Sequence, residues 1–141
     1  MDNNPISRNE HIASFMRRVG LCEERGSGID RALYHIENKQ LPAPEFRVSN
    51  THMSVIIYGP RSFADMAKRE RVLTCYWHCC LMHLSGEKMN NQSLRERLGV
   101  KKSNYPMVSQ VIADAKESDL VKDFDPENKS PRYAKYVPFW F

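Results

Sequence analysis

The stretch Asn91–Ala115, NQSLRERLGVKKSNYPMVSQVIADA, decides how the rest of the chain is read. Leu94 and Leu98 stand one helical turn apart while Arg95 and Arg97 fall on the other side, so residues 91–98 are expected to form a short helix with its leucines inward. Gly99 supplies the turn that follows. Ser103 is placed to cap a second helix, in which Pro106 falls within the tolerated first turn and Val108, Val111, Ile112 and Ala115 recur as a buried stripe. The pattern is helix, turn, helix.

Working outward toward the end of the chain, Leu120 to Phe124 reads as extended, 125–131 is rich in turn formers, and Arg132 to Val137 is β-prone and aromatic. A two-stranded wing therefore follows the helices. Upstream, Phe63 to Leu84 is the longest helical stretch, with Met66, Val72, Leu73, Tyr76, Trp77, Cys80, Leu81 and Leu84 as its apolar face, ended by Ser85-Gly86. Residues 62–141 thus read as a winged helix-turn-helix domain.

Gly59-Pro60-Arg61-Ser62 interrupts all periodicity and marks the expected domain boundary. Before it, Ser7 with Glu10 three residues later resembles a capping box, and Ile12, Phe15, Met16 and Val19 follow at helical spacing up to Gly20. Ile29, Leu33 and Ile36 mark a second helix that ends near Lys39, ahead of Pro42 and Pro44. From Glu45 to Tyr58 the period changes to two: Phe46 and Val48 alternate, Ser49-Asn50-Thr51 turns, and Met53, Val55 and Ile57 alternate again, as in a β-hairpin. The expected fold class is α+β: an incomplete helix-helix-hairpin subdomain at 1–60, then the winged helix at 62–141.

The 141 residues suffice for one good core or two small ones. Hydrophobic residues at 41% and charged residues at 27% are too apolar a mixture for general disorder. No apolar run approaches the roughly 18 residues that span a bilayer, and the start carries no basic-then-apolar signal, so a cytoplasmic protein without membrane contact is expected. The cysteines, Cys22, Cys75, Cys79 and Cys80, are not dispersed like a secreted disulfide framework and read as reduced thiols. Formal charge is +4, with 8 Lys and Arg against 7 acids in residues 1–61 and 13 against 10 thereafter. A polyanionic partner would meet the second half.

A helix-turn-helix that binds double-stranded DNA needs cations around the start of its second helix for phosphates and polar side chains on that helix for base edges. Arg95, Arg97, Lys101 and Lys102 are the expected phosphate contacts, facing the single acid Glu96, and Asn104, Ser109 and Gln110 are the expected base readers. Lys129, Arg132 and Lys135 on the wing can reach a neighbouring groove or strand. The same fold also serves as a protein-interaction module. On that reading Trp77, Tyr133, Tyr136, Phe139 and Trp140 form an apolar surface, with a homodimer as the partner.

Two other constellations carry weaker chemistry. Gly26-Ser27-Gly28, opening a helix, can cradle a phosphate, though a tight turn between helices needs glycine just as much. Cys75, His78, Cys79, Cys80 and His83 include pairs at helical spacing, but no second ligand pair at zinc-finger spacing accompanies them, so no metal is expected. No Walker, nucleophile-elbow or metalloprotease pattern occurs.

Asn4-Pro5 with Arg8-Asn9, the run from Glu23 to Arg31, Leu41-Pro42 with Pro44 and Phe46, and the ending Arg132 to Trp140 together resemble the C-terminal part of the RecG-like, Schlafen AlbA-type transcriptional regulators, often labelled ATP-dependent DNA helicases. The resemblance implies that residues 1–60 are the tail of a GHKL-like ATPase domain, in which Gly26, Ser27 and Gly28 are a vestige of the nucleotide lid, and that a winged helix follows. Neither the family's helix bearing a magnesium-binding Asn nor its Asp-x-Gly-x-Gly strand end has a counterpart here. No cofactor is therefore expected for this chain, ATP and Mg belonging to a longer parent, and no enzymatic activity, since helicase motion needs a Walker loop as well.

Overall fold

The computed structural model describes residues 7–22, 28–127, 130 and 133–141. It is a mixed α+β structure whose described residues form five α-helices and two small antiparallel sheets. The chain divides into two compact units, Met1–His35 and Ile36–Phe141. The composition break at 59–62 lies inside the second unit.

In the first unit, α1 (Glu10–Arg18) is capped by Asn9, whose side chain accepts from the Ile12 amide at 3.2 Å, rather than by Ser7. Asn9 is in extended backbone one residue before the helix, which is the position a capping carboxamide needs. Glu10 pairs with Arg17 two turns on. Gly20 ends the helix at φ +72°, a conformation that costs a side-chain-bearing residue about 1–2 kcal/mol. The spacing of Ile12, Phe15, Met16 and Val19 predicts this helix, and none of its residues is buried.

Helix α2 (Gly28–Asn38) carries the unit boundary, with Leu33 and Ile36 buried and Ile29 exposed. In the second unit, β1 (Glu45–Val48) pairs antiparallel with β2 (Met53–Ile56), Glu45 opposite Ile56 and Val48 opposite Met53. Ser49 closes the turn, its Oγ accepting from the His52 amide at 3.0 Å. The hairpin is fastened at its root. Glu45 accepts from Arg47, Tyr58 and Arg69, the last at 2.9 Å from the next helix, and Phe46 meets Trp77 at a ring separation of 5.9 Å.

The expected helix from Phe63 is interrupted. A 3-10 turn at Phe63–Asp65 gives way to extended backbone at Met66 and Ala67, and α3 runs from Lys68 to Leu84. The Glu70 carboxylate accepts from the Ala67 amide at 2.8 Å and from Arg61 at 2.6 Å, which fixes the new start. The centre of α3 forms the core wall. Thr74, Cys75 and Cys79 are its most enclosed residues, whereas Leu84, expected inward, is exposed.

Helix α4 (Asn91–Arg97) opens with a reciprocal cap: Ser93 N donates to Asn90 Oδ1 at 2.9 Å and Asn90 N to Ser93 Oγ at 3.2 Å. Gly99 turns the chain at φ +63°. A 3-10 turn at Lys102–Asn104 then leads into α5 (Tyr105–Glu117), with Asn104 instead of Ser103 at the cap position and without a side-chain capping bond. Pro106 sits in the first turn, where its missing N–H has no intrahelical partner to lose. Helix α5 packs on α3 and α4. Strand β3 (Val121–Asp123) pairs antiparallel with β4 (Tyr136–Pro138), and Tyr136 also bridges to Met89 ahead of α4.

Met66, Val72, Cys75, Cys79, Met89, Leu94, Leu98, Val108, Val111, Ile112, Ala115 and Val121 form one core cluster. It draws on α3, α4, α5 and β3. The exposed ends of these elements are thereby set in fixed register around their common centre.

Candidate nucleic-acid interface

Three separate segments of the chain meet at one groove of about 720 Å3. The start of α4 contributes Asn90, Asn91, Gln92 and Arg95. Lys102 and Tyr105 come from the entry to α5, and the β3–β4 connection adds Phe124, Asp125, Tyr133, Ala134 and Lys135. Local chemistry explains why these side chains converge. The Asn90–Ser93 cap starts α4 at the groove floor, the bond from Phe124 N to Lys135 O at 2.8 Å closes the base of the hairpin loop, and the bond from Tyr136 N to Met89 O at 2.8 Å ties that loop to the residue before the cap.

Of the residues expected to meet DNA, Arg95, Lys102 and Lys135 line this groove together. Lys101 and Asn104 are exposed on the turn beside it. Asp125 is its one acidic side chain, so the described lining is basic by excess. Lys129 and Arg132, expected on the wing, lie outside the described residues, as do Gly26 and Ser27. Gly28 begins α2, with open space around the position a Cβ would occupy.

Arg97 is a correction. Expected outward as a phosphate contact, it is only 6% exposed and reaches across to the end of α2, donating from Nε to Glu37 Oε2 at 2.5 Å and from Nη2 to the Leu41 carbonyl at 2.6 Å. In a seven-residue helix Arg97 lies three residues from Leu94, which puts it on the inward side, and the part-buried Glu37 carboxylate makes the inward position tolerable. Ser109 is also turned inward, accepting from Asn91 Nδ2 at 3.0 Å. Gln110 is exposed, but its Nε2 donates to Asp114 Oδ1 at 3.0 Å, and it lines a second, smaller groove of about 380 Å3 with Phe63, Lys68, Arg71 and Met107. It is not part of the first groove.

Glu37 is the centre of a buried polar cluster. His78 Nδ1 donates to its Oε1 at 2.5 Å, and His78 Nε2 meets Ser93 Oγ at 3.1 Å on α4. Burial by itself favours the neutral acid, but the hydrogen bond from His78 and the adjacent Arg97 guanidinium outweigh it and hold the carboxyl below the usual glutamate range. Asp114, late in α5, is held low by Gln110 and by Lys68, whose Nζ lies 3.1 Å away.

The cysteine–histidine constellation is used for packing. Burial pushes the Cys79 thiol up to about 12 and raises Cys75 further, with neighbouring thiols adding to the effect, so both remain protonated and apolar in character. Among the described residues no group of three His, Cys, Asp or Glu stands together as metal ligands do.

Several groove residues escaped sequence reading. Gln92 belongs to an amide run, Asn90-Asn91-Gln92, that signals a cap more strongly than a contact surface. Tyr105 and Phe124 follow polar residues at element ends, where apolar periodicity has no say. Lys88, which is not itself in the lining, is half-buried with its Nζ 4.1 Å from the centroid of the Phe124 ring, a contact that only the return of the hairpin loop creates.

Residues 1–57 match the model of the family described as "Putative ATP-dependent DNA helicase recG C-terminal". That portion is similar to a RecG-related, ATPase-like segment, and the match stops before α3 and the groove. No curated protein and no solved structure matches the chain. No described helix is long and apolar enough to cross a membrane.

Proposed function

We propose that residues 62–141 act as a winged helix that binds double-stranded DNA, in the C-terminal part of a transcriptional regulator. Helix α5 is the element offered to the major groove, with Asn104 at its entry reading bases, and the β3–β4 hairpin is the wing. The convergence of Arg95, Lys102 and Lys135 from three separate elements on one groove carries this reading. Three cations held in place by one core suit a phosphate backbone, because phosphate contacts fix register and orientation before any base is read. Lys101 extends the basic surface along the turn, and Lys129 and Arg132 belong to the same wing by sequence. The similarity of residues 1–57 to a family described as a DNA helicase supports a nucleic-acid setting. Nucleotide and magnesium binding are proposed for a longer parent protein only, and ATP hydrolysis is not expected of this chain.

The test is fluorescence anisotropy of the chain with mixed-sequence duplex DNA across a salt series. Affinity should fall steeply with salt, and Lys101→Ala and Lys102→Ala should each reduce the slope of log affinity against log salt by about one unit. An Asn104→Ala change should alter sequence preference more than overall affinity. Absence of binding at low salt would transfer the proposal to the second reading, a protein-interaction or dimerisation module. One observation favours that reading: Trp140 is 58% exposed, next in sequence to Phe139 and Phe141, which are exposed as well.

A further inference from the structure

The groove holds more than cations. Tyr105 is 40% exposed and Tyr133 64% exposed within it, between Arg95, Lys102 and Lys135. Neither ring belongs to the buried core cluster. Phosphate contacts call for the cations and can use a tyrosine hydroxyl, but they leave the aromatic faces unused. Paired bases in a duplex already have both faces stacked on their neighbours, so a tyrosine ring on the protein surface gains a stacking partner only from a base that is unpaired. The groove's volume of about 720 Å3 lies within the ~300–1,000 Å3 of sites that enclose small ligands. Gln92 at its edge donates from Nε2 to Glu96 Oε1 at 2.9 Å, which leaves its carbonyl oxygen and second N–H for a base.

We propose that this groove binds an unpaired nucleotide of single-stranded DNA adjoining the duplex, the base stacking on Tyr105 and Tyr133 and the flanking phosphates lying against Arg95, Lys102 and Lys135. The inference rests on reading this face as a nucleic-acid surface and narrows it to a junction of paired and unpaired strand. Phe124 is not one of the stacking rings, since the Lys88 ammonium already occupies a position 4.1 Å from its centroid. Asp125, the acid in the lining, keeps a phosphate from its side of the groove and leaves that side to the base, whose exocyclic amine a carboxylate can accept from.

The experiment compares the affinity of the full chain for a blunt duplex and for the same duplex carrying a short single-stranded oligo-dC tail, whose bases carry an exocyclic amine, with 2-aminopurine at the first unpaired position in a parallel probe. The tail should tighten binding about 5- to 150-fold for each base stacked, and the 2-aminopurine emission should be quenched on binding. Tyr105→Ala and Tyr133→Ala should bring the tailed-to-blunt ratio toward one, whereas Tyr105→Phe, which keeps the ring, should preserve it. Circular dichroism confirms that each variant is folded. A ratio of one for the unaltered chain, with the blunt duplex still bound, overturns this proposal and leaves the duplex reading standing. A ratio that survives both alanine changes also overturns it. Binding of the tailed probe alone supports the groove and removes the duplex reading, and binding of neither probe removes both.

Discussion

At the residue scale, Arg95 and Arg97 carry the same charge two positions apart and do opposite things. Arg95 lines the groove, while Arg97 is enclosed and holds Glu37 and the Leu41 carbonyl. Breaking a buried ion pair leaves an uncompensated charge, so Arg97→Ala should cost about 3–5 kcal/mol of stability, read as a lowered midpoint in urea, with the salt slope of DNA binding of the folded variant unchanged. Arg95→Ala should do the reverse: an unchanged midpoint and a shallower salt slope. Equal effects of the two on both measurements would refute the assignment. Glu37 adds a pH dependence. Its folded pKa is below that of the unfolded chain, so its contribution is fully present above the unfolded value of about 4.3 and is lost as pH falls through the lower folded value. The stability difference between the native chain and Glu37→Gln should therefore be constant near neutrality and shrink below about pH 4, as measured by denaturant titration at several pH values.

At the element scale, the caps and turns place the site more than the helices do. Asn90 starts α4, Gly99 reverses the chain, and the 3-10 turn at Lys102–Asn104 delays α5 until Tyr105, bringing Lys102 and Tyr105 to the groove. Gly99→Ala should cost about 1–2 kcal/mol through the positive φ alone, because the added Cβ would meet nothing closer than Gln40 Oε1 at 3.7 Å. Thermal unfolding reads this, and a cost near zero would show that the turn relaxes. The elements themselves were legible: each predicted helix and each predicted pair of strands has a counterpart. Their ends were less so. Asn9 competes with Ser7, and Asn104 replaces Ser103, because all four are good cap residues and the choice depends on which residue adopts the non-helical backbone.

At the scale of the molecule, the described surface retains large apolar side chains outside the groove as well, among them the stripe of α1, the hairpin residues Val48, Met53, Val55 and Ile57, and the C-terminal aromatics. The aromatic end is partly docked, with His83 lying 4.3 Å from Phe141 and 5.5 Å from Trp140 between ring centroids. Tyr136 and Trp77, expected beside them on the apolar surface, are half-buried instead, packed on the core and against Phe46. On the dimerisation reading, Trp140→Ala should convert a dimer to a monomer in light scattering while far-ultraviolet circular dichroism stays unchanged. A mass that is monomeric before and after the change would sink that reading.

The order and kind of the elements, and much of the core, can be read from the chain alone. Val108, Val111, Ile112 and Ala115 repeat at the helical period, and a period that matches an element's geometry can be read without knowing its neighbours. The chain alone also identifies Arg95, Lys102 and Lys135 as cations worth attention. It is folding that brings these three to one groove with Tyr105 and Tyr133, turns Arg97 inward to Glu37, and places Cys75 and Cys79 in the core. The physical reason is that burial and pairing are properties of two segments at once. Arg97 is buried because a carboxylate 60 residues earlier in the chain comes to meet it, and no local pattern around residue 97 records that approach.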